Sequence, residues 1–460
     1  MTVRALSTPR KAAYGLGDLS TNTALSALTL VFFTFLVTVA GLEPWLAGLI
    51  AWLARLVDAF TDPLMGRFSD GLQWKIGRRR PFFLIGMLPL GALFALLWRT
   101  PYSEQAPMFF WYLSIYIGIA LSMTVLSVPY MALIPEMASG YDERTSLNTW
   151  RSAGAVLGSM VAASLFELAE VFGGGAEGYA QAGALLAVGL IIPWPIVWAA
   201  SFERSKAPPG QKEPLGPALA SLFRHPTYVR LCGIYLLGRV AIDLLGLAIP
   251  LFVIVWLRRP GDVTSTLLVM LSVVVLSLPL WLRFAQNREK HRILILGSLW
   301  FVTCLVLTFA GDPGWPRWSL FVIAGGLGAG YAVVDLFPWA MLGEVIDEDE
   351  LSHGARREGI YNGVFTFIRK VGGASAYMLG GFALSWAGYD SELSTQPEGA
   401  IWTIRVLGTL IPAAFLACTL FSLRDYPLTR VRHAWIHQQI AQRNPDRKLE
   451  ESGPIQDDPV

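Results

Sequence analysis

Two carboxylates and an arginine lie inside a long apolar segment, residues 45–68. Asp58 and Asp62 are four residues apart, so on a helix they share one face, and Arg55 is about one turn away. Carboxylates on adjacent turns offer hard oxygen ligands for Na⁺, or they form a pair in which like-charge repulsion raises one pKa and one proton is held. The pattern predicts a binding site for Na⁺ or H⁺, with Asp58 and Asp62 as the metal ligands if the ion is Na⁺.

The same residues also have a purely structural interpretation. Arg55 would then form an ion pair with the carboxylates, and Asp62 would cap a helix end beside Pro63. We favour a functional site, because a charge inside a bilayer costs about 2.5–3.5 kcal/mol on insertion scales and charged residues there are functional by default.

The composition indicates a membrane protein. Of the 460 residues, 54% are apolar or aromatic, only 15% are charged, and the mean hydropathy is +0.48, whereas a soluble chain usually has about 25% charged residues. The 25 Phe, 17 Trp and 14 Tyr exclude a disordered chain. With 36 basic and 34 acidic residues, the chain has no strong positive field that would attract nucleic acid.

Long apolar runs in a bilayer must be helices, because lipid offers no partner to a backbone N–H or C=O group and about 20 helical residues cross the hydrocarbon core. Twelve such runs predict an all-α integral membrane protein with twelve transmembrane helices, near residues 13–41, 45–68, 82–99, 107–134, 149–172, 179–201, 228–256, 263–285, 293–310, 316–342, 359–387 and 400–423.

The distribution of Lys and Arg among the loops predicts the orientation. Loops after even-numbered helices are rich in these residues, and loops after odd-numbered helices are poor in them, except at Arg258 and Arg259. By the positive-inside rule, both termini should lie in the cytoplasm and the chain should be a multi-pass protein of the cell membrane.

The polar residues 202–227 predict a cytoplasmic linker between two six-helix bundles, residues 1–201 and 228–425, which are followed by a cytoplasmic tail, residues 426–460. The halves should be copies, because Pro63-Leu64-Met65-Gly66-Arg67-Phe68 and Pro279-Leu280-Trp281-Leu282-Arg283-Phe284 match at four of six positions and end the second helix of each half.

The tail and the histidines give weaker signals. Residues 428–442 predict either an amphipathic helix on the inner leaflet or an ordinary solvated extension. A histidine proton relay is not expected, since all five histidines fall in loops or in the tail: His225, His291, His353, His433 and His437.

A glycine, an aspartate and several arginines cluster after the second helix, as Gly66-Arg67-x-x-Asp70 and Gly77-Arg78-Arg79-Arg80-Pro81. They would form a latch between neighbouring helices, signal topology, or do both. We therefore assign Asp70, Arg78 and Arg79, together with Arg55, to coupling or gating. The arrangement resembles the loop signature of the major facilitator superfamily.

Further blocks are similar to those of one branch of that superfamily, the glycoside-pentoside-hexuronide:cation symporters, whose type member is the melibiose carrier. The blocks cover nearly the whole chain and are Tyr14-Gly15-Leu16-Gly17-Asp18, Arg55 to Pro63, Gly77 to Pro81, Val128-Pro129-Tyr130, Asp142-Glu143-Arg144 and Lys370-Val371-Gly372-Gly373. The resemblance implies the major facilitator fold of two pseudo-symmetric bundles, and a coupling ion, Na⁺ or H⁺, but no cofactor.

Carried over residue by residue, the resemblance implies that Asp58, Asp62 and Thr124 bind the coupling cation. It also implies that Lys370 lies between the cation site and the sugar site, where it would take part in substrate binding and in coupling or gating. Arg151 matches a sugar-site arginine only if a gap of one residue is allowed.

The sugar site departs from the family pattern. Asn22 and Ser127 stand where the type member has aspartates, and Met131 and Asp335 stand where it has tryptophans. A galactoside would be bound poorly without those acids and rings. Polar or amphipathic residues on cavity-lining helices are expected to replace them in part: Asp18, Asn22, Ser127, Tyr130, Asp335, Trp339 and Tyr361. Asp335 either faces the substrate or forms an ion pair with Lys370 or Arg369.

These observations predict a secondary active transporter, not an enzyme, that works as a monomer and couples Na⁺ or H⁺ to symport of a sugar or glycoside by alternating access. A cation-coupled transporter of a lysolipid or another amphiphile is the alternative, because Met123 and Met131 suit an apolar chain. A membrane enzyme or a receptor is a remote alternative, since no paired His/Asp metal spacing, no G-x-S-x-G motif and no Walker loop is recognised.

Overall fold

The computed structural model describes residues 6–71, 74, 77–138, 141–203, 221–286, 288–354, 357–391, 393 and 395–443, and in these residues every regular element is a helix. The helices are α1 (Thr8–Thr38, with a π turn at Ala27–Val31), α2 (Pro44–Gly71), α3 (Pro81–Leu97), α4 (Gln105–Met137), α5 (Glu143–Val171), α6 (Gly175–Ala200), α7 (Pro226–Trp256, ending in a π turn), α8 (Pro260–Ala285), α9 (Lys290–Phe309), α10 (Arg317–His353), α11 (Glu358–Trp386), α12 (Glu398–Leu423) and α13 (Arg430–Arg443).

Nine of these helices, among the residues described, are long and apolar enough to cross a membrane. The other three predicted spans coincide with α2 and α11, which carry charged residues, and with α3, which has 17 residues. The number twelve therefore stays a prediction. Large apolar side chains point outward, as at Leu276, Phe421 and Trp386, which are 71%, 79% and 95% exposed, and such a surface suits lipid.

The helices pack in two groups of six. Helices α1–α6 contact one another, as α1 and α5 do, and α7–α12 contact one another, as α8 and α10 do. The groups meet mainly where α2 packs on α11 and where α5 packs on α8. Each helix of one half has its counterpart six positions away in the other half, so α2 corresponds to α8 and α11 to α5. The α2–α11 contact and the α8–α5 contact are therefore equivalent, as expected of halves related by a two-fold axis.

The two halves touch most closely at the helix ends that are remote from the chain termini. A Cβ atom at Gly48 would lie 2.5 Å from the carbonyl oxygen of Tyr377, so only glycine lets α2 and α11 approach this closely. The Trp45 backbone N–H donates to Ser385 Oγ at 3.0 Å. The halves are therefore closed against each other on this side of the molecule.

Two predicted boundaries are wrong. The fifth helix begins before residue 149, and the tenth continues past residue 342 to His353, so the acidic run Asp347-Glu348-Asp349-Glu350 is helical instead of forming a loop. Hydropathy marks where an apolar run ends, but the helix continues through polar residues until Gly354, whose φ of 76° forms a left-handed cap.

The tail contains the predicted helix, α13. Its apolar side chains differ in exposure, since Ile436 and Ile440 are buried whereas Val431 and Trp435 are exposed. The helix packs against α10 of the same chain. Residues 204–220 of the predicted linker, and residues 444–460 of the tail, lie outside the described part of the chain.

Candidate functional site

The two carboxylates of α2 lie together and share two partners. Thr124 Oγ1 of α4 is 3.1 Å from Asp58 Oδ1 and 2.8 Å from Asp62 Oδ1. Lys370 Nζ of α11 is 2.7 Å from Asp58 Oδ2 and 2.5 Å from Asp62 Oδ2. The structure thus brings together four side chains from three helices, and Lys370 places a positive charge between two carboxylates.

Arg55 is not the ion-pair partner of these carboxylates, so the structural interpretation based on that pair is wrong. Its Nε lies 3.4 Å from the hydroxyl of Tyr116, and in the described part of the chain no carboxylate oxygen lies within 4.0 Å of its guanidinium. Lys370 takes this role instead, from a helix 308 residues further along the chain. Because the partners are so far apart in the sequence, their direct contact is visible only in the fold.

One cavity contains both the carboxylate pair and much of the predicted substrate site. Its volume is about 360 Å³, and its lining includes Asp58, Asp62 and Lys370. Four predicted substrate residues line it as well: Asp18, Asn22, Ser127 and Tyr130. Met131, also in the lining, is 54% exposed. The cavity is therefore open to the outside of the protein.

Asp18 is the centre of a second polar cluster in this cavity. Arg151 Nε lies 2.7 Å from Asp18 Oδ2, and the Tyr130 hydroxyl donates to the same oxygen at 2.7 Å. The Asn22 side-chain amide donates to the Asp18 carbonyl at 2.9 Å. Arg151, whose assignment needed a gap, is therefore positioned beside the cavity by a bidentate ion pair, a geometry that fixes a guanidinium firmly.

Asp335 has a partner that the sequence argument did not foresee. Its Oδ1 lies 3.1 Å from Arg239 Nη1, so the expected pair with Lys370 or Arg369 is wrong. Arg239 also binds Asp243 one turn along α7, with Nε 2.8 Å from Oδ2. The sequence does contain a signal for this site. Arg239 and Asp243 are opposite charges four residues apart inside an apolar run, as the charged residues of α2 are.

Trp339 and Tyr361 are held away from the cavity. The Trp339 indole N–H donates to the Tyr235 hydroxyl at 2.9 Å, and Tyr361 is fully buried with its carbonyl accepting from Tyr228 at 2.9 Å. Neither they nor Asp335 are among the described residues that line the cavity. Arg239 and Arg369, by contrast, are in its lining.

The arginines after α2 hold three helices together at the end of the first half. Arg78 and Arg79 lie 2.8 and 2.7 Å from Glu136 Oε1 at the end of α4. The backbone N–H groups of Arg78 and Arg79 each donate to Glu203 at 2.8 Å, and that of Arg80 donates at 3.1 Å. Asp70 belongs to α2, but its side chain lies outside the described residues.

The surroundings of Glu203 shift its acidity. Burial alone would raise the pKa of the carboxyl, but the backbone N–H donors of Arg79, Arg78 and Arg80 bind the ionised form and bring the pKa below its ordinary value.

The ion pair between Arg78 and Glu136 has a counterpart in the second half. There, Lys290 Nζ lies 2.8 Å from Glu344 Oε1, near the end of α10.

Comparison with known proteins agrees with this geometry. The model of the MFS/sugar transport protein family matches residues 13–430. A putative sulfoquinovose importer of Escherichia coli (strain K12) is 26% identical over 94% of this chain and 93% of its own. The sodium-dependent lysophosphatidylcholine symporter 1-A of Danio rerio is 24% identical over 95% of this chain and 89% of its own.

A solved structure supports the fold. The crystal structure of a D-xylose-proton symporter aligns with a TM-score of 0.67 and 12% identity, over 92% of this chain and 98% of that one. The family match, the helix packing and the outward apolar surface agree with one another. The chain therefore belongs to the MFS/sugar transport protein family, as a multi-pass, cation-coupled symporter of a small molecule with the major facilitator fold.

Proposed function

We propose that the coupling cation, Na⁺ or H⁺, binds at Asp58 and Asp62, with Thr124 Oγ1 as a third oxygen. The observation that carries this proposal is the position of Lys370, whose ammonium nitrogen lies 2.7 and 2.5 Å from the two carboxylates. A site that holds an ammonium group between two carboxylates has the charge and the oxygen ligands that Na⁺ needs. Protonation of one carboxylate would equally relieve their mutual repulsion.

Binding of the cation would release Lys370 into the cavity. The ammonium group and Na⁺ would compete for the same oxygens, so an arriving ion would free a positive side chain in the cavity that Asn22 and Ser127 also line. If the substrate then binds Lys370, each ligand favours the state that the other needs. The affinity for the cation and the affinity for the substrate must then rise by the same factor, because coupling between binding sites is reciprocal.

The charge of the cavity favours a sugar or glycoside that carries an acidic group. Arg55, Arg369 and Lys370 line the cavity. No carboxylate oxygen lies within 4.0 Å of Arg55 or Arg369 in the described part of the chain, and cation binding would remove the partners of Lys370. Asn22 and Ser127, which replace aspartates of the family pattern, add no negative charge. Three cations would then face the substrate.

A lysolipid is a second candidate because of the cavity's apolar members. Met123 and Met131 are in the lining, Met131 is 54% exposed, and flexible thioether side chains adapt to many apolar shapes. The phosphate of a lysolipid would meet the same three cations that an acidic sugar would.

Binding of three probes to the purified full-length protein distinguishes these substrates. The probes are 4-nitrophenyl glucuronide, 4-nitrophenyl glucoside and lysophosphatidylcholine, titrated calorimetrically in Na⁺ buffer. The proposal expects the glucuronide to bind more tightly than the glucoside, and Arg369→Gln to remove most of the difference. Equal binding of the two glycosides would overturn the preference for an acidic group, and preferential binding of the lysolipid would favour the second candidate.

We also propose the oligomeric state, the membrane and the orientation of the protein. The chain would act as a monomer in the cell membrane, with both termini and the 202–227 linker in the cytoplasm, bundles at 1–201 and 228–425, and a tail at 426–460. In that orientation the closed contact between α2 and α11 would face outward. Labelling of single cysteines introduced at exposed positions such as Gln442 and Glu398, in intact cells and in permeabilised cells, tests the orientation.

A further inference from the structure

The tail helix α13 brings two histidines against the end of α10. His433 Nε2 and His437 Nε2 lie 2.9 and 3.2 Å from the same oxygen, Asp347 Oδ2. The three potential ligand atoms lie within 4.8 Å of one another, and no other group of three His, Cys, Asp or Glu residues does so in the described part of the chain. The expectation that no paired His/Asp metal spacing exists is therefore wrong.

We propose that Asp347, His433 and His437 form a binding site for a borderline divalent transition-metal ion such as Zn²⁺. Zinc binds imidazole nitrogen at about 2.0–2.1 Å and carboxylate oxygen at about 2.0–2.2 Å, which in a regular tetrahedron separates ligand atoms by roughly 3.3 Å. The two nitrogen–oxygen distances are close to that edge length. Two imidazoles select against Mg²⁺ and Ca²⁺, which prefer oxygen ligands.

The exposure of the three side chains provides an entry path. The Asp347 side chain is 9% exposed, that of His433 23% and that of His437 59%. The carboxylate thus lies at the base of the site, and His437 lies at its open edge. Three protein ligands leave a fourth position that water can fill, as in zinc sites that are not purely structural.

The ligands are held in place by contacts that do not involve them. Arg432 Nη2 lies 2.7 Å from Glu348 Oε1, and the Arg430 backbone N–H donates to Glu289 Oε2 at 2.8 Å. Ile436 and Ile440 are buried on the same helix. Removal of one exposed histidine should therefore leave α13 folded and docked.

The site has a consequence for the tail. A bound ion would link His433 and His437 of α13 to Asp347 of α10, so metal would tighten the docking of the tail on the helix whose Asp335 pairs with Arg239. This inference does not depend on the proposed cation site, because its ligands lie on α10 and α13 and none of them lines the cavity.

Metal titration of the full-length protein tests the site. The protein is purified with a non-histidine tag, treated with a chelator and titrated with ZnCl₂ in a calorimeter. We expect one Zn²⁺ per chain, and His437→Ala should weaken binding at least about tenfold, the lower range seen when even an outer partner of a metal ligand is lost. His437→Cys should retain binding because a thiolate also binds zinc.

A matched control and a second readout complete the test. His353→Ala removes another exposed histidine, which lies 2.9 Å from Asp349, and should leave Zn²⁺ affinity unchanged. Hydrogen exchange of residues 430–443 should slow on addition of Zn²⁺ in the wild type and not in His437→Ala. Failure of the wild type to bind Zn²⁺, or equal affinity in His433→Ala, His437→Ala and the wild type, would overturn the proposal.

Discussion

The ammonium nitrogen of Lys370 lies 2.7 Å from Asp58 Oδ2, and this ion pair joins the eleventh helix of the chain to the second. Because α2 and α11 belong to different halves, the pair crosses the surface along which the halves must move. Under the proposed function, a Na⁺ ion that entered the carboxylate pair would compete with the ammonium group for the same oxygens. Occupancy of the proposed cation site and the contact between the halves would then be linked through one side chain.

Removal of the lysine charge should make the carboxylates more available. We expect Lys370→Gln to bind Na⁺ roughly tenfold more tightly than the wild type at pH 8, equivalent to about 1.4 kcal/mol, because the competing ammonium is gone. Sodium titration calorimetry measures this change. Lys370→Arg, which keeps the charge, is the matched control, and weaker Na⁺ binding by Lys370→Gln would argue against competition.

The hydroxyl of Thr124 should contribute through its oxygen. Thr124→Val keeps the shape but removes the group that lies 2.8 Å from Asp62 Oδ1, so cation affinity should fall by about 1.5–3 kcal/mol, the range for a hydrogen-bonded partner of a charged group. Thr124→Ser should stay near the wild-type value. If valine and serine gave equal affinities in the same titration, Thr124 would have no part in the site.

Arg239 should matter mainly for stability. Arg239→Met leaves Asp243 and Asp335 without their described partner, and loss of one member of a buried ion pair typically costs about 3–5 kcal/mol. Asp335→Asn should cost much less, because Arg239 keeps Asp243 and the Asp335 side chain is 33% exposed. Thermal unfolding in detergent compares the two variants. Similar losses of melting temperature would contradict this ranking.

Glu203 gives a prediction about pH. Its pKa is lower in the folded protein than the ordinary value of 4.5, so the ionised carboxyl stabilises the fold above about that pH and the contribution disappears as pH falls through the folded pKa. The melting temperature of Glu203→Gln should be below that of the wild type at pH 7, and the two should converge in acid. A gap that persists or widens in acid would show that the carboxylate charge is not responsible.

The sequence was sufficient for the approximate positions of the helices and for the shared face of the two carboxylates, whereas their role as a cation site stays a prediction. Apolar length identifies a spanning helix directly, and the four-residue spacing of Asp58 and Asp62 shows their shared face. The predicted start of α5 and the predicted end of α10 were wrong. Hydropathy detects only the apolar residues that lie in the bilayer, whereas helices continue through charged residues such as Asp347 until a cap ends them.

The partners of the charged residues depend on the fold. Lys370 was placed near the cation site by family resemblance, but its direct contact with both carboxylates depends on how α2 packs on α11. Asp335 was given the wrong partner because Arg239 lies on α7, and no local pattern connects α7 with α10. His433 and His437 are four residues apart in the sequence, but the third ligand of the proposed metal site, Asp347, is 86 residues from His433. The sequence alone therefore does not connect the three residues.

Gradient-driven uptake into proteoliposomes tests the central claim most directly. The 4-nitrophenyl glycoside that binds the wild type is supplied outside, with a Na⁺ gradient or a proton gradient imposed separately, and uptake is compared for the wild type, Asp58→Asn and Asp335→Asn. We expect one of the gradients to drive accumulation by the wild type and by Asp335→Asn, and neither to do so for Asp58→Asn. Accumulation by Asp58→Asn at the wild-type level would contradict the assignment of the cation site.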